Sequence, residues 1–246
     1  MKQRLDLILV ERGIAPTRSI AQSMIMAGEI SLDTTRLTKP GQMVEQDSEL
    51  DVLQKSRYVS RGGDKLASVA EFLQLDFDGK ILLDVGSSTG GFTDYALQHG
   101  AKHSYAVDVG TNQLAFKLRN DERITVMEQT DIRSITPEQL ALKPDIAVID
   151  ASFISLTKIL PATAQLVRPD GQIIAMAKPQ FETDKVTADQ HKGVITDPRT
   201  RREILDALEL WIKGNGFNIV SSVDSAVHGA KGNIERFYLL RLKDTR

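Results

Sequence analysis

The sequence predicts an α/β protein: a Rossmann-like, mostly parallel seven-stranded sheet covered by helices, with a small separate unit ahead of it. Three observations carry that prediction. From residue 64 onwards, short apolar runs alternate with stretches of helical period, which is the pattern of a parallel sheet buried on both faces. A glycine-rich loop, Asp84-Val85-Gly86-Ser87-Ser88-Thr89-Gly90-Gly91-Phe92, ends one of those runs and opens a helix. Finally, residues 54–63 are basic and close on the pair Gly62-Gly63, which is expected to break regular structure between two regions of different pattern. The chain therefore divides into a unit over 1–53, a linker over 54–63 and a larger domain over 64–246.

In the first unit, Leu5, Leu7, Ile8 and Leu9 begin a helix that stops at Gly13. Thr17 caps a second helix whose apolar side is Ile20, Ala21, Met24 and Ile25, ending at Gly28. Strands are expected over 29–32 and 50–53, with a turn at Pro40-Gly41 between them. In the larger domain a helix over 65–75 leads into a strand over 81–85 and then the glycine loop. The following helix runs to Gly100. Further strands read at 104–108, 125–128, 146–150, 172–178, 219–223 and 237–242. Helices fall near 113–119, 156–167 and 199–214. No helical stretch separates the last two strands, so they are expected to pair antiparallel at one edge.

Composition narrows the chemistry. The chain has no cysteine, which excludes disulfides, thiolate metal sites and a cysteine nucleophile. That fits a reducing cytosol. There is no apolar run long enough for a membrane span or a signal peptide, and the four histidines show no metal-ligand spacing, so neither membrane nor metal is expected. A net charge of -2 gives no global attraction to nucleic acid, and any such binding must come from local patches.

The glycine loop points to a ligand at the carboxyl end of the sheet, against a helix N-terminus. A nicotinamide fingerprint would read Gly-x-Gly-x-x-Gly. Here Gly86-x-x-x-Gly90-Gly91 follows an aspartate, a form typical of methyltransferases that use S-adenosylmethionine. Asp84 is then expected near the methionine part, with Ser87, Ser88, Thr89 and Phe92 in the loop around the nucleoside. Asp108, with Val109 beside it, ends the second strand, from which a carboxylate accepts hydrogen bonds from ribose hydroxyls. Asp131-Ile132 follows the third strand, where an acidic side chain meets the adenine amino group. Each aspartate singly reads equally well as a solvated strand end; three after successive strands do not.

The acceptor atom is narrowed by what is missing. Methylation of a pyrimidine carbon needs a cysteine nucleophile. Exocyclic base amines typically call for Asn/Asp-Pro-Pro-Tyr/Phe after the fourth strand, and Asp150-Ala151-Ser152-Phe153 stands there instead. An oxygen acceptor fits best. Its proton must leave as the methyl is attacked, and a lysine within a site can take part in that. Lys178 ends the fifth strand, Asp150 ends its neighbour, Glu235 opens the last strand and Lys65 starts the helix leading into the domain. A snorkelling surface lysine is the plain alternative for Lys178.

At this point the chain resembles the TlyA family of ribosomal RNA 2'-O-methyltransferases, whose catalytic half is similar to the FtsJ methyltransferases. The resemblance spans about residues 5–242. It rests on Tyr58-Val59-Ser60-Arg61-Gly62-Gly63-Asp64-Lys65, Asp150-Ala151-Ser152-Phe153-Ile154-Ser155-Leu156, Lys178-Pro179-Gln180-Phe181-Glu182 and Gly232-Asn233-Ile234-Glu235. It implies a class I S-adenosylmethionine methyltransferase fold and a Lys-Asp-Lys-Glu tetrad of Lys65, Asp150, Lys178 and Glu235. Lys178 would accept or steer the 2'-hydroxyl proton, Asp150 and Lys65 would position the nucleophile, and Glu235 would orient the lysine or ribose. The loop departs from the FtsJ pattern in having Ser-Ser-Thr where Ala-Ala-Pro is frequent.

The first unit resembles the alpha-L RNA-binding module of a small-subunit ribosomal protein, over Arg4-Leu5-Asp6, Thr17-Arg18-Ser19 and Ala27-Gly28-Glu29-Ile30. That resemblance, rather than charge counting, implies contacts to ribosomal RNA or ribosomal subunits through Arg4, Arg12, Arg18, Arg36 and Lys39, with Arg61 in the linker. In the larger domain the stretch 180–196, with Lys185, His191, Lys192 and Gly193, resembles a mobile lid over the acceptor strand. Family members act on cytidines in 23S rRNA, and some on 16S rRNA as well. A chain that begins almost at the module points to the shorter class with large-subunit activity. Two competing readings are a non-catalytic RNA-binding or ribosome-assembly factor, and a haemolysin or cytolysin. The complete tetrad argues against the first, and the missing membrane-active segment against the second.

Overall fold

The computed structural model describes residues 2–26, 28–33, 35–52, 57–191, 193–229 and 232–243. Residue 53 at the end of the expected strand 50–53, residues 54–56 of the expected linker and Lys192 of the expected lid lie outside them. The chain forms two compact units, Met1–Arg57 and Tyr58–Arg246.

The smaller unit contains β1 (Lys2–Arg4), α1 (Leu5–Glu11), α2 (Arg18–Met26), β2 (Ile30–Leu32), β3 (Thr35–Leu37), β4 (Met43–Glu45) and β5 (Leu50–Val52). β1 pairs with β4, and β3-β2-β5 form a second antiparallel sheet. Its core is Leu5, Ile8, Leu9, Ala21, Ile25, Ile30, Leu37 and Val44. The two helices, β2 and β5 match the expected elements. β1, β3 and β4 were not expected, because Lys-Gln-Arg, Thr-Arg-Leu and Met-Val-Glu show no apolar alternation bounded by turn residues.

The larger unit begins with α3 (Arg61–Ala70), β6 (Ile81–Val85), α4 (Gly91–Gln98), β7 (His103–Val107), α5 (Phe116–Arg119) and β8 (Ile124–Met127). It continues with β9 (Ile146–Ile149), α6 (Leu156–Leu166), β10 (Gln172–Ala177), α7 (Lys185–Gln190), α8 (Pro198–Gly214), β11 (Phe217–Asp224) and β12 (Arg236–Leu242). The seven strands lie in the order β11-β12-β10-β9-β6-β7-β8. All pairings are parallel except those of β12, which runs antiparallel between β10 and β11. Alternate side chains of each central strand enter two cores. Leu83, Val85, Ile173 and Tyr238 pack towards α6 and α8; Leu82, Ile174, Met176 and Phe237 pack towards α3 and α4. Burial on both faces is why these strands read as unbroken apolar runs.

Two helices depart from expectation. Gly62 and Gly63 do not break regular structure; they lie in the first turn of α3, which ends at Ala70 rather than near 75. Glycine is needed there for close packing: a Cβ on Gly63 would stand 2.3 Å from the Tyr58 ring. α5 is shorter than the 113–119 expected, because the amides of Asn112, Gln113 and Leu114 are taken by the Glu128 carboxylate at 2.7, 2.8 and 3.1 Å.

The registers decide where chemistry collects. Val85 pairs with Val107 and with Ile149, Ile149 pairs with Ala175, and Ala177 pairs with Arg236. The next residues along the chain, Gly86, Asp108, Asp150 and Lys178, and Glu235 on the antiparallel strand, therefore share one edge of the sheet.

Candidate active site

The glycine loop is built by steric necessity. Gly86 and Gly90 have φ of 79° and 90°, the left-handed region that favours glycine. A Cβ on Gly86 would lie 2.9 Å from the Asp150 carbonyl oxygen, and one on Gly91 would lie 2.5 Å from Ser60 Oγ and 2.7 Å from Gly63 N. The first turns of α3 and α4 thus meet glycine to glycine. Ser88 also has positive φ, 46°, and its amide donates to Asp108 Oδ2 at 2.8 Å. The other Asp108 oxygen accepts from Gly110 N at 2.7 Å. Asp108 is therefore partly engaged in holding the loop.

Asp84 is buried beneath the loop. Its Oδ2 accepts from Thr93 N at 3.0 Å and Thr93 Oγ1 at 2.7 Å, while Oδ1 is buried without a partner. Burial pushes its carboxyl up to about 7, the Thr93 hydroxyl opposes this, and the neighbouring Asp150 charge adds to it. Asp84 borders a small pocket with Ser60, Gly62, Ser87, Ser88, Thr89, Gly91 and Phe92. An orphaned carboxylate oxygen in a glycine-walled pocket suits a cationic ammonium.

Beside it opens a cavity of about 410 Å³ lined by Gly86, Ser88, Asp108, Val109, Gln113, Asp131, Ile132, Asp150 and Phe153, among others. Asp131 is paired with Arg133 at 2.6 Å, which holds its carboxyl below the usual range. The cofactor residues expected from sequence thus line one pair of adjoining pockets, except Gly90, which turns the loop against Leu114 and Leu118. The apolar floor, acidic rim and glycine cradle fit an adenosyl ligand with a charged tail.

Next along the edge stand two ion pairs. Lys178 Nζ is 2.6 Å from Asp150 Oδ1, and it donates to Ser152 Oγ at 2.8 Å and to the Asp150 carbonyl at 3.4 Å. Lys65 Nζ is 3.0 Å from Glu235 Oε1, whereas Glu235 Oε2 is buried without a partner. Both lysines are nearly buried, and the snorkelling alternative for Lys178 does not describe it. Glu235 fits only because residue 229 is glycine: a Cβ there would lie 2.1 Å from Oε1.

Several contributing residues escaped the sequence reading. Phe153 is 89% exposed with φ of 63°, and its ring centroid lies 5.0 Å from that of Phe181. Glu182 accepts from Ser155 Oγ at 2.6 Å and Leu156 N at 2.9 Å, joining the segment after Lys178 to the cap of α6; burial raises its carboxyl. Glu128 fixes the cavity loop and is drawn down to about 2, chiefly by the Leu114 amide. Asp94 accepts from Val59 N at 2.7 Å and meets Lys117 at 3.0 Å, pinning the chain ahead of α3. Only Phe153 and Glu182 lay in quoted motifs; no spacing marks the others.

In the smaller unit the expected basic residues do not form one group. Arg4 and Arg18 converge on the fully buried Asp6, each with a 3.0 Å contact, and Gln22 donates to the same carboxylate at 2.9 Å. The Arg4 hydrogen bonds hold the Asp6 carboxyl far below the usual range. Arg12 instead donates to the carbonyls of Ser48 and Gln46. Arg36 runs past Gly28, and Lys39 stands exposed. Arg61 belongs to the larger unit, where it donates to the His228 carbonyl at 2.5 Å. Of the expected lid, α7 is formed, capped by Asp184 on Thr187 N.

Among the described residues no helix is long and apolar enough to cross a membrane. The FtsJ-like methyltransferase family model matches residues 58–242, and the S4 domain model matches residues 3–50. The 16S/23S rRNA (cytidine-2'-O)-methyltransferase TlyA of Mycobacterium tuberculosis is 38% identical, over 100% of this chain and 92% of that protein. A solved structure from Streptococcus thermophilus that bears a hemolysin name is 39% identical, with a TM-score of 0.76 over 99% of this chain and 89% of that one. A methyltransferase from Thiobacillus denitrificans, solved with S-adenosyl-L-homocysteine, shares the fold at 14% identity, with a TM-score of 0.53 over 73% of this chain and 91% of that one. The chain belongs to the FtsJ-like methyltransferases and, within them, to the TlyA family.

Proposed function

We propose that the chain methylates the ribose 2'-hydroxyl of a cytidine in ribosomal RNA, with 23S rRNA the first substrate to test and 16S rRNA the second. The observation that carries this reading is the pair of ion pairs, Lys178–Asp150 and Lys65–Glu235, on adjacent strand ends beside the glycine-loop pockets. When bound, S-adenosylmethionine supplies a methyl group already activated by its sulfonium. Asp84 would hold its amino-acid side together with Gly86, Ser87, Ser88, Thr89, Gly90, Gly91 and Phe92, a loop expected from sequence around the nucleoside but grouped with Asp84 in the smaller pocket, and Asp108, Val109, Asp131 and Ile132 would hold its nucleoside.

The residues of the chain then align the acceptor and move one proton. A hydroxyl set against Lys178 meets a cation that stabilises the charge developing on its oxygen. Its proton leaves through the Lys178–Asp150 contact, the lysine steering it and the carboxylate taking it up. The unpartnered Glu235 Oε2 is an acceptor for a ribose hydroxyl, held in place through Lys65. Phe153 offers an exposed ring to a base.

On this reading the smaller unit docks RNA, with Arg4 and Arg18 organised by Asp6, and the larger unit does the chemistry. The TlyA name of the relative supports cytidine and rRNA as the acceptor class. The experiment is incubation with methyl-labelled S-adenosylmethionine and ribosomal subunits from a strain lacking the enzyme, followed by mapping of ribose methylation on both rRNAs. Label at one cytidine 2'-oxygen supports the reading. No transfer to either rRNA removes it.

A further inference from the structure

We propose that the cavity between α8 and the ends of β11 and β12 holds a backbone phosphate of the acceptor RNA strand. This rests on the reading of the chain as an RNA ribose methyltransferase. The cavity measures about 410 Å³, and its polar lining is Thr196, Arg201, Arg202, Asp206, Asp224 and Arg236.

Its position comes from register. Asp224 pairs with Arg236, and Arg236 pairs with Ala177, the residue before Lys178. The cavity therefore lies at the same end of the sheet as the two ion pairs. Successive residues of β12 serve opposite faces: Glu235 meets Lys65 of α3, and Arg236 meets the α8 side. The cofactor pockets occupy the β6 to β9 side of Lys178 and Asp150. RNA whose ribose reaches Lys178 is therefore left with the β12 and β11 side on which to run, and a phosphate is covalently attached on each side of that ribose.

Its chemistry suits such a group. Asp224 Oδ1 accepts from Arg201 Nη2 at 2.6 Å and Arg236 Nε at 2.8 Å, and Arg236 Nη1 also stands 3.9 Å from Glu209 Oε1. Arg201 Nε also donates to the Ile234 carbonyl at 3.3 Å, which fixes its fork. Donors remain on both guanidiniums, in the planar arrangement that matches phosphate oxygens. Arg202 is exposed on the same helix and has no ion pair among the described residues.

The test uses the full chain and rRNA from a strain lacking the enzyme, with KM for RNA measured against salt, S-adenosylhomocysteine affinity, and thermal melting as a folding control. Arg201→Gln with Arg202→Gln is expected to raise the RNA KM about tenfold and flatten the salt dependence by about one to two phosphate contacts, with cofactor affinity unchanged. Asp224→Asn is expected to tighten RNA binding, because it removes the competing anion. Should the double variant not fold, Arg202→Gln alone carries the expectation at a smaller amplitude. Wild-type RNA KM and salt slope in a folded variant overturn the proposal, as does weaker RNA binding in Asp224→Asn. Binding of a mononucleotide such as AMP, lost in the double variant while the RNA KM stays constant, also overturns the RNA assignment. Absence of any methyl transfer by the wild type would instead defeat the underlying reading of the function.

Discussion

Lys178 Nζ and Asp150 Oδ1 stand 2.6 Å apart at the ends of adjacent parallel strands, closer than the 3.0 Å of Lys65 and Glu235. The shorter pair has Ser152 as a second anchor. Lys178→Met and Asp150→Asn are each expected to lower kcat by about 10² to 10⁴. Asp150→Asn keeps the shape and the Ser152 contact of Lys178, so the fold should persist, and saturating cofactor separates the kcat loss from any change in cofactor affinity. Labelled-methyl transfer at saturating cofactor reads this directly. A kcat within a few-fold of wild type in both variants would remove Lys178 and Asp150 from the chemistry.

Asp84 gives a pH dependence with two signs. A carboxyl whose folded pKa is raised contributes stability fully present below its unfolded value, near 4, and lost as pH rises through about 7. From this group, the unliganded chain is expected to melt higher at pH 6 than at pH 8. A cationic ligand amine prefers the ionised form, so S-adenosylhomocysteine affinity should run the other way, about tenfold weaker at pH 6 than at pH 8. Asp84→Asn should flatten both profiles. Calorimetric titration across that range decides, and a pH-independent wild-type affinity would contradict the pairing.

Gly91→Ala places a methyl group 2.5 Å from Ser60 Oγ and 2.7 Å from Gly63 N. Backbone cannot yield as a side chain can, so a cost of about 1–3 kcal/mol is expected, together with weaker cofactor binding. Gly214→Ala is the control: a Cβ there meets nothing within 4 Å. Urea denaturation of the two variants should separate them, and equal midpoints would show that the α3–α4 contact tolerates expansion.

In the smaller unit, Asp6→Ala releases Arg4, Arg18 and Gln22 from their common acceptor. A loss of about 1–3 kcal/mol in unfolding of that unit is expected. Arg4→Gln or Arg18→Gln should leave stability nearly intact and reduce the salt slope of RNA binding by about one contact each. RNA binding by Asp6→Ala at wild-type strength would show that the arginines need no organiser.

Much of this could be read from the chain because burial on both faces turns β6, β7, β9 and β10 into apolar runs. A charged residue at the end of such a run is conspicuous, which is how Asp84, Asp108, Asp150 and Lys178 stood out. Glu235 and Lys65 could be placed at the start of a strand and of a helix, but their role needed the resemblance, since a residue in such a position carries no such mark. What stayed hidden were contacts between loops. Glu182 reaching the cap of α6, Glu128 gathering three amides and Asp94 holding Val59 depend on distances that no linear spacing encodes. Gly62 and Gly63 misled in a different way, since glycine serves both flexibility and close approach, and here it serves approach.

The insertion of β12 between β10 and β11 has a consequence for synthesis. β11 precedes β12 in the chain yet has no place in the sheet until β12 arrives, because each of its pairings is to β12. β12 also delivers Glu235 to Lys65, 170 residues earlier. A nascent chain halted before residue 235 would keep an open edge on β10, and Lys65 would lack its carboxylate. The outer edge of the sheet and the Lys65–Glu235 pair thus both wait on the same late strand, so sheet completion and assembly of this ion pair are one event in folding.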